Sequence, residues 1–100
     1  MTPEQRNSLA THVWLLQTVR ALVDETDLSK IQITPESREF GTRFLVQVPK
    51  AEIGKVIGKE GRNARAIRRL LYARGQKDGQ RYEMDVQNFP TDQPAALAAA

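Results

Sequence analysis

Apolar residues recur at spacings of three and four along the first quarter of the chain, a pattern that predicts an amphipathic helix. Thr2, Pro3 and Gln5 precede it in the order of an N-cap, a first-turn proline and a capping box. The helix is predicted to run to about Asp24, and His12 is expected on its surface. The residues expected to be buried are Leu9, Val13, Leu16, Val19 and Val23.

Two segments then alternate between apolar and polar residues, as half-buried strands do. The first, residues 30–34, points Ile31 and Ile33 inward and is expected to end at Pro35. The second covers residues 40–48, and its inward residues are Phe44, Val46 and Val48. The short connection between the two segments predicts a hairpin.

Two further helices and a third strand follow. Pro49 can start a short helix over residues 50–57, and a longer helix over residues 62–74 can end at Gly75 as a left-handed cap. The longer helix is expected to bury Ala66, Ile67, Leu70 and Leu71. The strand covers residues 81–87, with Tyr82, Met84 and Val86 inward.

The order of these segments predicts an α+β fold, α-β-β-α-α-β, with one domain over residues 1–88. Residues 89–100 are rich in proline and alanine, so we expect a flexible tail.

Positive charge is concentrated in the middle of the chain. The net charge is +3, but residues 50–75 contain eight basic and two acidic residues, a local charge of +6 that leaves −3 for the rest. The basic residues are Lys50, Lys55, Lys59, Arg62, Arg65, Arg68, Arg69 and Arg74. Such a distribution is typical of a face that binds phosphate groups.

The sequence Gly58-Lys59-Glu60-Gly61 lies between two predicted helices within this basic region. Glycine lacks Cβ, so this turn can adopt positive φ and a nucleic-acid backbone can approach the main chain closely. The next helix begins near Arg62, and the positive end of its dipole favours an anion at the turn. The turn is therefore a candidate polyanion-binding loop.

The segment from Val56 to Gly61 resembles the Val-Ile-Gly-x-x-Gly signature of KH RNA-binding domains, and with Gly54, Lys55 and Arg62 it is similar to the small bacterial single-KH proteins of the KhpA type. The resemblance implies the type II (prokaryotic) arrangement, a three-stranded sheet with helices packed on one face. Many relatives have an apolar residue where this chain has Asn63.

The resemblance also implies a groove that holds about four nucleotides of single-stranded RNA, with the glycine turn clamping the backbone. It implies a role as an RNA chaperone or post-transcriptional regulator, a homodimer, and a larger KH-containing protein as partner. The residues carried over to this groove are Gly54, Lys55, Ile57, Gly58, Lys59, Glu60, Gly61, Arg62, Arg65, Arg68 and Arg69.

Two of these residues leave alternatives open. Gly54 is poor helix material, so it serves either the close approach of RNA or of a packed strand, or tight helix packing. The Glu60 carboxylate points to solvent, pairs with a base amino group or caps the next helix, and we favour solvent or the cap.

Few aromatic residues are expected for base stacking, because Phe40, Phe44, Tyr72 and Tyr82 are expected in or near the core.

Several classes of function are excluded or disfavoured. The chain has no cysteine and one histidine, which excludes thiol chemistry, Cys-ligated zinc, histidine-based metal clusters and histidine acid–base dyads. We expect no metal site and no cofactor. A nucleotide-binding phosphate loop is excluded, because its motif has four residues between the glycines and Ser or Thr after the lysine. Here only three residues separate Gly54 from Gly58, and Glu60 follows Lys59. Its apolar runs are too short for a bilayer, and residues 1–5 lack the basic and apolar regions of a signal peptide, so we expect a cytoplasmic protein. Because the sequence offers no candidate nucleophile and base, we expect no enzymatic activity. The alternative function is a protein-interaction or ribosome-assembly module that docks through its basic helix.

Overall fold

The structure is a computed structural model and describes residues 1–89. It confirms the α+β class and the order of the elements. These are α1 (Pro3–Leu22), a 3-10 turn (Leu28–Lys30), β1 (Gln32–Arg38), β2 (Gly41–Val48), α2 (Lys50–Ile57), a second 3-10 turn (Lys59–Gly61), α3 (Arg62–Asp78) and β3 (Arg81–Asn88).

The three strands form one sheet in the order β1-β2-β3. β1 and β2 are antiparallel neighbours, as the hairpin prediction requires, whereas β3 runs parallel to β2. The helices cover the face of the sheet on which the predicted inward residues of β2 lie. The core contains, among others, Leu15, Val19, Phe44, Val46, Val48, Val56, Ile67, Leu71 and Met84.

β1 is longer than predicted, since it continues through Pro35 to Arg38. Pro35 pairs in register with Phe44, although proline cannot donate a hydrogen bond to a ladder. β1 is an edge strand, and an edge strand tolerates proline because one side of its backbone needs no partner. The hairpin turn is therefore formed by Glu39 and Phe40, not by the residues around Pro35.

The buried face of α1 differs from the predicted one. The capping box is confirmed, because Thr2 Oγ1 accepts from the Gln5 amide and the Gln5 side chain accepts from the Thr2 amide. The helix ends at Leu22, and its buried residues are Thr11, Leu15 and Val19, whereas Leu9 and Val13 are exposed. Thr11 tolerates burial because its hydroxyl donates to the Asn7 carbonyl at 2.9 Å. His12 is half-buried against the Phe44 ring, with centroids 6.1 Å apart.

α3 extends one turn beyond its predicted end. Gly75 is buried inside the helix, and a Cβ there would lie 2.4 Å from the Gln80 carbonyl oxygen. The left-handed cap is Gly79, at φ 70°. Ala66 and Leu70, predicted to be buried, are exposed, and the residues that α3 buries are Ala64, Ile67, Leu71 and Gly75.

Ordered packing continues one residue past the predicted domain boundary at 88. Phe89 is buried, and its amide donates to the Val48 carbonyl at 2.8 Å. The rest of the predicted tail, residues 90–100, lies outside the described residues.

Within residues 1–89, no helix combines the length and the apolar composition needed to cross a membrane.

Candidate functional site

The loop between α2 and α3 is built from residues with positive φ. Gly58, Glu60 and Gly61 have φ angles of 79°, 55° and 74°. The Gly58 amide donates to the Gly54 carbonyl at 2.8 Å, and the Gly61 amide donates to the Gly58 carbonyl at 3.0 Å. Two glycines thus adopt this backbone easily, whereas Glu60 pays a steric cost for it.

Asn63 packs beneath this loop. A Cβ on Gly58 would lie 2.7 Å from Asn63 Cγ, so the close contact as well as the positive φ requires glycine. Asn63 Nδ2 donates to the Lys55 carbonyl at 2.9 Å, one of the carbonyls that the end of α2 leaves without a helical partner. The residue that departs from the family pattern thus ties α2 to α3 by a bond that an apolar side chain could not make.

Two arginines of α3 lie against Glu60. Arg65 Nη1 donates to the Glu60 carbonyl at 2.8 Å, which holds its guanidinium beside the loop. Arg62 Nη2 lies 3.5 Å from Glu60 Oε2, and both of these side chains are largely exposed. The Glu60 carboxylate therefore points to solvent, and no side chain caps α3 at Gly61.

The Lys55 ammonium is directed away from the loop. It lies 2.7 Å from Asp24 Oδ2 and 3.2 Å from Glu52 Oε1, and hydrogen bonding to Asp24 and then to Glu52 raises the pKa of Lys55. The other oxygen of the buried Glu52 carboxylate accepts from the Asp24 amide at 2.7 Å. Lys55 and Glu52 therefore tie α2 to the end of α1. Sequence reasoning missed Glu52, because a glutamate in the first turn of a helix ordinarily faces solvent.

The remaining predicted cations differ in their contacts. Arg68 Nη2 reaches the Met84 carbonyl on β3 at 3.4 Å. Lys59 and Arg69 are exposed, and neither forms an ion pair with any residue from 1 to 89. Their charges are available to a ligand.

Gly54 lies on an open ledge beside the loop. Apart from Gly54's own chain neighbours and the nearby backbone of α2, no atom of the described residues comes within 4 Å of a Cβ built on Gly54, so neither tight packing against another helix nor a packed strand accounts for this glycine. Ile57, one helical turn later, is 37% exposed. The alternative that remains for Gly54 is the close approach of a ligand.

The free edge of β3 is the candidate for the second wall of the groove that the family resemblance implies, opposite the loop and α2. The amides of Arg81 and Phe89 donate to carbonyls on the β2 side, and hydrogen-bonding groups alternate in direction along a strand. The even-numbered residues of β3 thus direct their backbone groups to the open edge, where Met84 meets Arg68. Both α2 and α3 contact β3, so this edge lies beside the helices that hold the loop.

No cluster of three or more His, Asp or Glu residues within residues 1–89 is arranged to hold a metal ion. The chemistry that this site offers is therefore that of exposed cations, main-chain groups and an apolar ledge.

Comparisons with known proteins agree with this geometry. The family model described as KhpA/KhpB, KH domain, matches residues 14–86. Three similar proteins are each named RNA-binding protein KhpA. The one from Listeria monocytogenes EGD-e is 38% identical over 72 residues, which cover 72% of this chain and 92% of the relative. The one from Aquifex aeolicus is 42% identical over 69 residues (69% and 85%), and the one from Bacillus subtilis is 31% identical over 86 residues (86% and 98%). The comparison with solved structures found no match.

Proposed function

The chain belongs to the KhpA/KhpB family of KH domains, which is non-catalytic, and we propose that it binds single-stranded RNA by clamping the sugar–phosphate backbone at residues 58–61. One observation carries the proposal: an exposed loop with positive φ angles lies at the start of α3 and presents Lys59, which has no ion-pair partner within residues 1–89. The relatives' names, RNA-binding protein KhpA, support it.

The loop attracts phosphate by three means. The Gly58 and Gly61 positions carry no side chain, so a phosphate can approach the main chain. The positive end of the α3 dipole faces the same place. Lys59 and Arg62 add full charges, and Arg65 is held beside the loop by the Glu60 carbonyl. Phosphate contacts of this kind bind many sequences with similar strength.

The groove beside the loop receives the bases. Gly54 and Ile57 form its open ledge, and the backbone groups at the free edge of β3 can hydrogen-bond to base edges. A KH groove holds about four nucleotides. In this proposal Arg69 and Lys59 contact phosphate, whereas Lys55 acts indirectly by fixing α2 against α1.

The test replaces Lys59 and Glu60 together by Asp, which leaves the loop backbone feasible because aspartate tolerates positive φ better than most residues. Fluorescence anisotropy should show the loss of most RNA affinity, with an unchanged thermal melt. Lys77→Glu at the far end of α3 changes the net charge equally and should retain binding. Unchanged affinity in the loop variant would refute the clamp.

The same loop variant tests the alternative function. A protein-interaction or ribosome-assembly module that docks through its basic helix would tolerate the two loop substitutions. It would also bind single-stranded RNA weakly or not at all.

We further propose that the protein acts as an RNA chaperone or post-transcriptional regulator and gains affinity by pairing, as a homodimer or with a larger KH-containing protein. One four-nucleotide site binds modestly, and a second linked site multiplies the affinity. Exposed apolar side chains support a protein contact on the helical side, because Trp14 and Leu70 line one shallow cavity of about 260 Å³ there and Leu9 and Val13 are exposed on α1.

A further inference from the structure

An aromatic side chain expected near the core lies on the surface instead. Tyr72 on α3 is 67% exposed, and its ring contacts no other aromatic ring within residues 1–89. It lines a cleft of about 970 Å³ between the C-terminal half of α3 and the start of β3. None of the loop or α2 residues lines this cleft, but Arg68 and Met84 at the free edge of β3 do, so the cleft lies outside the clamp and continues the proposed groove.

We propose that this cleft is a second nucleotide subsite, in which a base of the same RNA strand stacks on Tyr72. The inference rests on the proposed function and extends it along α3. Arg65, Arg68 and Tyr72 are three and four residues apart, so they follow one face of the helix. At a rise of 1.5 Å per residue, Tyr72 lies about 15 Å along the axis from Arg62. A strand longer than the clamp requires can therefore continue along this face.

The charges around the cleft suit a phosphate backbone. Its lining includes Arg43, Arg68 and Arg81 against a single acidic residue, Glu83. Arg43 is paired with Asp85 at 3.1 Å and Arg81 with Glu83 at 3.0 Å. These two pairs offset the charges of Arg43 and Arg81, so Arg68 is the cation of the cleft that has no carboxylate partner within residues 1–89.

Of the two exposed aromatic residues in the cleft, Tyr72 offers the more open ring, since it is 67% exposed and Phe40 is 39% exposed. The Arg81 guanidinium lies 5.5 Å from the centroid of the Phe40 ring and covers it. Within residues 1–89 no guanidinium lies over the Tyr72 ring in this way, and Gln76 follows Tyr72 one helical turn later with an amide that can meet a base edge. Aromatic side chains interleaved with basic ones are the usual platform for single-stranded nucleic acid.

The test compares oligoadenylates of four and eight nucleotides by anisotropy or calorimetry. Tyr72→Ala should weaken binding of the octamer about fivefold or more, the minimum expected for one stacked base, and leave tetramer binding unchanged. Tyr72→Phe should retain octamer binding, because it keeps the ring. Leu28→Ala, an exposed apolar truncation in the 3-10 turn before β1 and outside the clamp, the cleft and the proposed pairing surface, should change neither affinity.

A fluorescence measurement gives a second readout. In Tyr72→Trp, the octamer should quench an emission component that wild-type protein, with Trp14 alone, does not show, and the tetramer should not. Tetramer binding with equal octamer affinity for wild type and Tyr72→Ala would refute the subsite and leave the clamp intact. Equal losses at both lengths would also refute the subsite, because Tyr72 would then act through the fold. A wild-type protein that binds neither oligonucleotide would refute the clamp and the subsite together.

Discussion

The two ends of α3 use similar glycine turns for different purposes. Gly61 precedes the helix at φ 74°, and Gly79 follows it at φ 70°. At the C-terminal end the amides of Gly79 and Gln80 both donate to the Gly75 carbonyl. At the N-terminal end the loop closes through its backbone, while Lys59 remains directed to solvent. The difference indicates that the C-terminal turn contributes mainly to stability, because its amides are hydrogen-bonded within the turn. The N-terminal turn leaves the charge of Lys59 available to a ligand.

Ionisable groups sharpen this contrast. The Asp78 carboxylate accepts from Tyr82 Oη at 2.7 Å and from Arg74 Nε at 2.9 Å. Burial raises the pKa of Tyr82 to about 12, with help from the hydrogen bond to Asp78. Burial alone would raise the pKa of Asp78, but the hydrogen bonds from Tyr82 and Arg74 outweigh it and hold that pKa below its usual range. At this end of α3 the charged and polar side chains of Arg74, Asp78 and Tyr82 are therefore hydrogen-bonded to one another.

The largest expected effect comes from breaking the C-terminal turn. Gly75→Ala places a Cβ 2.4 Å from the Gln80 carbonyl oxygen, which belongs to the backbone and cannot move aside freely. The free energy of unfolding should fall by about 3 kcal/mol, measured by urea denaturation. As a control, Gly79→Asn keeps a residue that tolerates positive φ and should cost less than about 1 kcal/mol. A neutral Gly75→Ala would show that the helix and β3 are not in this close contact.

The second prediction concerns pH. Because the pKa of Tyr82 is raised from 10.0 to about 12, its contribution to stability is complete below pH 10 and is lost as the pH rises from about 10 to 12. For a buried group this difference of two pKa units is worth slightly less than about 3 kcal/mol. Wild type and Tyr82→Phe should therefore approach each other in stability over that window in urea titrations. A stability difference that stays constant from pH 9 to 12 would contradict the raised pKa.

The fold could be predicted largely because strand alternation and the helical starts are local signals. β2 needed only its period of two, and α2 needed only Pro49 and the following apolar spacing, so its bounds match residues 50–57. The choice between Gly75 and Gly79 as the cap of α3 could not be made locally, since it depends on where Gln80 turns back into β3.

The candidate site likewise contains features that local sequence predicts and features that depend on distant residues. The glycine loop is a contiguous motif, and its spacing predicts its geometry. The direction of Lys55 depends on Asp24, 31 residues away, and the exposure of Tyr72 depends on how α3 rotates against the sheet. Apolar residues occur on more than one face of α1 and α3, so spacing alone does not fix the rotation of either helix.

The third prediction concerns strain in the N-terminal loop. Glu60→Asn should stabilise the protein by about 1 kcal/mol, because asparagine adopts the left-handed conformation at φ 55° more readily than glutamate does. Glu60→Gln removes the same charge without relieving the backbone, so it should leave stability nearly unchanged in thermal melts. Equal stabilisation by both variants would assign the effect to the carboxylate and not to the backbone.

The last prediction concerns Gly54, where we expect the smallest change in stability. Stability should rise while RNA affinity falls. Gly54→Ala should stabilise α2 by at most about 1 kcal/mol through helix propensity, since no described atom beyond the chain neighbours and local backbone of α2 lies within 4 Å of the new Cβ. It should also weaken RNA binding, because the methyl group would project from the ledge that RNA approaches in the proposed groove. Ala51→Gly, an exposed position in the same helix, is the matched reverse change: it should destabilise by a similar amount and leave RNA affinity unaltered. Urea denaturation and anisotropy on both variants separate the two effects.

Two outcomes would contradict this prediction. If Gly54→Ala gained stability with no loss of affinity, the RNA would not contact the ledge. If it lost stability, the open space beside Gly54 would have to be filled in the folded protein.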